Sequence, residues 1–150
     1  MKRLVALVFA VATSTFAAET PTVGDLETGG RRLSREEVQS LVKGAAVTLV
    51  VRNGSERTWV NGDDGNIHGF VNDRAGQIGP KRAGGGTGKY AVDEDGRYCT
   101  EVTGTGKRRI TTKSCRFIYE KDGQHWGIAK GKLDDEEAPA MRYVFEKKSP

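Results

Sequence analysis

Long apolar runs are missing from this 150-residue chain. The longest, Leu4 to Ala12, is about nine residues, whereas crossing a bilayer as a helix takes roughly 20, which argues against an uncleaved transmembrane anchor. Charge of one sign is missing too, since 24 Lys and Arg face 20 Asp and Glu for a formal net charge of +4. An imbalance of that size creates no field that would gather nucleic acid, and no nucleic-acid partner is expected. The only histidines are His68 and His125, so a nucleophile has little choice of positioned base. Neither is flanked by a Ser-His-Asp or two-carboxylate signature. The chain reads as a non-enzyme without a cofactor, its histidines at the surface or rim. Four zinc ligands would have to come from the only cysteines, Cys99 and Cys115, plus those distant histidines, and no metal site is expected.

Two motif-like stretches fail in detail. Gly84-Gly85-Gly86-Thr87-Gly88-Lys89 invites comparison with a phosphate-binding loop, but Ala83 stands where the first Gly belongs and Tyr90 replaces the Ser or Thr that would hold magnesium. It reads as a turn approaching a strand. The acidic runs Asp93-Glu94-Asp95 and Asp134-Asp135-Glu136-Glu137 lack the alternating spacing of a calcium loop and read as solvated loop acids.

What is present begins with Lys2 and Arg3, the apolar run, and the small and polar stretch Thr13 to Ala18. That order is the tripartite layout of a secretory signal peptide. Thr15 and Ala17 occupy its small-residue positions, which places cleavage after Ala17 and assigns residues 1–17 to the leader. No cysteine stands near the cut, so a lipid anchor is disfavoured. The expected location is the periplasm or full secretion, with no transmembrane segment after cleavage.

Residues 18–32 carry Pro21, Gly24, Gly29 and Gly30 without apolar periodicity and read as a flexible lead-in. Residues 33–147 read as a single β-rich domain. One helix opens it. Ser34 with Glu37 forms a capping box, Leu33 and Val38 make the hydrophobic staple, Leu41 and Val42 continue the face, and Gly44 suits a left-handed stop. From Ala45 onward the pattern shifts to short segments rich in Val, Ile, Thr and aromatics. Strands are predicted over 46–51, 57–60, 67–71, 88–92, 98–103, 110–119, 125–130 and 141–146. Asn53-Gly54, Asp64-Gly65, Asp95-Gly96 and Asp122-Gly123 each separate two of them, where a tight hairpin needs positive φ. The fold class is mainly β: one antiparallel meander forming a small β-barrel or a half-open, calycin-like sheet, with one N-terminal helix. Segment 72–87 reads as the longest structureless connection.

After the leader only 31 Leu, Ile, Val, Met, Phe, Tyr and Trp residues remain, four of them committed to the helix and its staple. The rest suffice to fill a small barrel but not to line a large dry cavity, so a filled interior is expected. An exported pair of cysteines is usually a disulfide. A hairpin turning at Gly104-Thr105-Gly106 would set Cys99 directly opposite Cys115, a link that would contribute roughly 3 kcal/mol.

Gly86-Thr87-Gly88-Lys89-Tyr90, Asp93, Asp95-Gly96-Arg97-Tyr98-Cys99 and the second cysteine before an aromatic strand together resemble small secreted proteobacterial proteins of unknown function. Those have a lipocalin-like sheet with two cysteines in neighbouring strands. The resemblance spans roughly residues 34–146 and implies a fold but no active residues. A weaker likeness is to exported, disulfide-bonded β-barrel inhibitors of lysozyme. The leading functional expectation is a non-enzymatic module that binds an unknown protein or envelope component through its loops. Trp59, Trp126, Lys107, Arg108 and Arg109 are its candidate surface. The alternatives are a small-ligand carrier with a calycin cavity and a lysozyme-inhibitor-like protein.

Overall fold

The computed structural model describes residues 19–73, 84–105 and 109–147. The leader assigned to residues 1–17, with its cut after Ala17, lies outside them, and so do Lys107 and Arg108. Eight strands run up and down in chain order: β2 (Ala45–Val50), β3 (Glu56–Asn61), β4 (Asn66–Asp73), β5 (Gly84–Val92), β6 (Tyr98–Gly104), β7 (Thr111–Lys121), β8 (Gln124–Ala129) and β9 (Met141–Lys147). Each pairs antiparallel with the next, and β9 pairs with both β8 and β2, which closes the sheet into a barrel. Closure removes the exposed edges that an open meander would leave. No helix among the described residues is long and apolar enough to cross a membrane.

The turns form where the sequence places them. Gly54, Gly65, Gly96 and Gly123 all have positive φ, and so does Asp122 at +53°. Both positions of the Asp122-Gly123 turn therefore adopt the left-handed geometry whose twist matches the flanking strands. A further left-handed glycine, Gly69, sits where the β3–β4 and β4–β5 registers slip. Such irregularities bend a sheet enough to close at small strand number.

The predicted helix is α2 (Arg35–Val42), with the Ser34–Glu37 capping box complete and Gly44 at φ +68°. Leu33, Val38 and Val42 are buried and pack on the inward residues Ala45, Val47, Ile67, Tyr98 and Ile118. The helix thus stoppers one end of the barrel. Lys147 Nζ donates to the Ser40 and Lys43 carbonyls, satisfying acceptors that a helix C-terminus leaves open.

The expectation of a flexible lead-in over 18–32 is corrected. Residues Val23–Gly29 form a helix, α1, and Arg31–Arg32 form a short strand, β1, beside β7. Thr22 and Asp25 make a capping box like that of α2, and Val23 and Leu26 are fully buried. They join Phe117, Tyr119, Trp126, Ile128, Ala138 and Ala140 in a second apolar cluster on the outer face of β7 and β8. That face would otherwise be exposed, so burial rather than local periodicity orders the segment.

A second correction concerns Gly84–Lys89, which is strand throughout and not a turn approaching one. The glycines allow backbone to approach backbone. At Gly88 a Cβ would stand 2.1 Å from the Glu101 carbonyl oxygen of β6. Residues 74–83 of the expected loop lie outside the described residues.

Candidate ligand-binding site

Alternation along each strand decides which side chains face the lumen. On β3 these are Arg57, Trp59 and Asn61; on β7, Ser114, Arg116 and Ile118; on β9, Tyr143 and Phe145. Pairing carries the parity around the barrel, for Leu49 is partnered by Arg57 on one side and Tyr143 on the other, and Arg57 by Asn72.

At the α2 end the lumen is filled and hydrogen bonded. Asn61 is fully buried; its Oδ1 accepts from Trp59 Nε1 at 3.0 Å and from the Tyr98 hydroxyl at 2.9 Å, while its Nδ2 donates to the Val42 carbonyl at 2.9 Å. Trp59 Nε1 also reaches the Tyr98 oxygen at 3.0 Å. The triad therefore ties the last turn of α2 to two opposite walls. Burial pushes the Tyr98 hydroxyl well above the ordinary tyrosine range, so it stays protonated and donates.

At the other end the lumen opens into a cavity of about 410 Å³. This corrects the expectation of a filled interior. The apolar inventory was sufficient, but much of it packs elsewhere: Val23, Leu26, Phe117, Tyr119, Trp126 and Ile128 serve the outer cluster under α1. Inward positions near the opening carry glycine or polar residues instead, among them Gly86, Thr100, Gly104, Thr112 and Ser114. Leu49, Trp59, Phe70, Val102 and Tyr143 make the apolar wall, with the Trp59 and Phe70 rings 6.0 Å apart.

Three cations border this cavity: Lys113, which is paired with Glu101 at 2.9 Å, and Arg57 and Arg116. Tyr143 lies beside the two arginines, its hydroxyl within the field of both guanidiniums. Burial raises the Tyr143 pKa and the two guanidiniums pull against it. Gly127 makes the arrangement possible, because a Cβ there would stand 2.5 Å from Tyr143 Cε2 and 3.0 Å from Arg116 Cδ. Sequence reasoning missed these residues. The signal was available in the spacing: Arg57 shares parity with Trp59, and Arg116 with Ile118, so both arginines stand on the core-facing side of their strands.

The sequence-derived candidates fall in different places. Cys99 and Cys115 are directly opposed on β6 and β7 and form a disulfide on the outer face, as the hairpin spacing predicts. Their neighbour Asp93 is held below the usual carboxylate range. Burial opposes this, but Arg97, donating from backbone and side chain at 2.8 Å each, outweighs it. The acid there serves the turn. Trp59 and Trp126 do not make an exposed loop surface, since each is only 5% exposed, one in the lumen and one beneath α1. Arg109 is exposed beside Ile110, which lines the cavity and is 65% exposed. His68 is exposed near Asp64, at 3.6 Å. His125 faces inward at the filled end, packed on Phe145 at 5.6 Å, where burial lowers its pKa. No family model, no curated protein and no solved structure matches this chain.

Proposed function

We propose that this is an exported, non-enzymatic protein that binds a small ligand in the open end of its barrel. The observation that carries the reading is the cavity of about 410 Å³, within the range of small-molecule sites. It combines an apolar wall with a few convergent polar groups, the usual composition of such a site. Ile110 at the rim leaves a large apolar side chain in solvent beside the entrance. This favours the carrier reading over a loop surface for a macromolecule, whose tryptophans are buried. Trp59, in the cavity wall, supplies the probe. Titration with a panel of amphiphiles should give a saturable shift in tryptophan emission with micromolar affinity, and Val102→Phe, which fills the cavity, should abolish it. A panel spanning neutral and anionic compounds that leaves the emission unmoved would overturn the reading.

Export to the periplasm or the medium is part of the same proposal, supported by the leader-like N-terminus and by a disulfide that persists in oxidising compartments. The mature protein is expected to begin at Ala18 and to gain the mass of two hydrogen atoms on reduction, both read from one intact-mass experiment. Reduction should also lower the thermal midpoint by several degrees, because a loop of this length contributes roughly 3 kcal/mol through the unfolded state. A retained Met1, or two titratable thiols in native material, would count against export.

A further inference from the structure

We infer that the ligand is a small amphipathic anion, with its charged head between Arg57 and Arg116 and its apolar body against Trp59 and Phe70. The inference rests on the ligand-binding reading above and names the chemistry of that same site.

Both guanidiniums border the cavity, and among the described residues neither is in an ion pair. Two acids near Arg116 are engaged elsewhere, Glu101 of β6 with Lys113 at 2.9 Å and Glu120 of β7 with Arg31 at 2.9 Å. Arg116 Nε is buried and has no hydrogen-bond partner. Charge that is partly buried and unpaired is costly, so the cluster retains a demand for negative charge in the cavity it borders. Tyr143 does not meet it, because burial keeps the phenol protonated and neutral.

Both guanidiniums act on the Tyr143 hydroxyl and border one cavity, and a carboxylate or phosphate fits a guanidinium fork with two parallel bonds. Thr100, Ser114 and Asn72 border the same space and offer further donors. The remaining wall is aromatic and aliphatic, which suits a hydrocarbon body and leaves a free inorganic ion without contacts on that side. A carboxylate head and a phosphate head share this chemistry, and the test separates them.

Calorimetric titration of the mature protein with decanoate, decyl phosphate and decanamide compares two anionic heads with a neutral one on the same body. At least one anion should bind roughly tenfold or more tightly than decanamide. The higher-affinity anion identifies the head. Arg116→Met, which keeps the stem and removes the charge, should bring that anion down to the affinity of decanamide and leave decanamide unchanged. Arg57→Met is the second variant, with circular dichroism confirming the barrel in each. Equal affinity for all three compounds would overturn the inference and leave the cavity reading intact. So would an anion preference that survives both substitutions. Failure of all three compounds to bind would remove the cavity reading with it.

Discussion

Replacing Asn61 with Leu is expected to cost about 3 kcal/mol or more of stability and to lower the thermal midpoint by roughly 10 °C or more. The two side chains are similar in size, so packing changes little and the loss is one of hydrogen bonding. Without the amide oxygen, the Tyr98 hydroxyl loses the acceptor it reaches at 2.9 Å. Without the amide nitrogen, the Val42 carbonyl loses its donor. Trp59 Nε1 keeps the Tyr98 oxygen at 3.0 Å, so two groups are orphaned rather than three. Each unsatisfied buried group costs about 1 to 3 kcal/mol, and Asn61 is fully enclosed, so water does not repair the loss. Denaturant unfolding of the variant beside Trp59→Phe, which removes only one donor, separates the network from simple packing. An Asn61→Leu change below about 1 kcal/mol would show that the triad does not hold α2 to the barrel.

That triad also fixes the inner boundary of the cavity, because Trp59 belongs to both. Loosening it should blunt the emission change on ligand binding as well as the stability. Fold and site are thus joined at a few residues on β3, where Arg57, Trp59 and Asn61 point into the lumen in succession.

Much of the architecture was legible because local chemistry and global fold agree. Eight β-rich segments became the eight barrel strands, four Asn-Gly or Asp-Gly turns took positive φ, and Ser34 with Glu37 set the start of α2. Counting from the Gly104 hairpin placed Cys99 opposite Cys115. What was not legible depends on long-range burial. The α1 helix has only Val23 and Leu26 as an apolar face, too short for periodicity, and its one local sign was Thr22 three residues before Asp25. Trp126 points away from the lumen yet is buried, because a segment about a hundred positions earlier covers it. The same diversion of apolar residues to the outside left the open end unfilled. Arg57 and Arg116 carry no motif that singles them out, and only strand parity places them inward.

From sequence the glycine-rich start of β5 reads as a turn approaching a strand, because glycine is a poor strand former; in the fold it gives the last expectation, with an effect as large as the first. Gly88→Ala should destabilise the protein by roughly 3 kcal/mol or more, at the upper end of what overpacking costs. A Cβ at this position would lie 2.1 Å from the Glu101 carbonyl oxygen and 3.0 Å from Val102 Cα. Those are backbone atoms of the paired strand, so no side-chain rotation relieves the contact and β5 must move away from β6. Gly127→Ala is the informative contrast. There the closest atom, at 2.5 Å, belongs to the Tyr143 ring, which can shift, so the cost should be smaller while ligand binding suffers more. Gly131→Ala is the control, since nothing lies within 4 Å of its Cβ and its φ is not left-handed; it should stay within about 0.5 kcal/mol. Chemical denaturation of the three variants gives the order directly. If Gly88→Ala proved as mild as Gly131→Ala, the close approach of β5 to β6 would not be what keeps alanine out of this strand, and the reading of the glycine run as a packing device would fail.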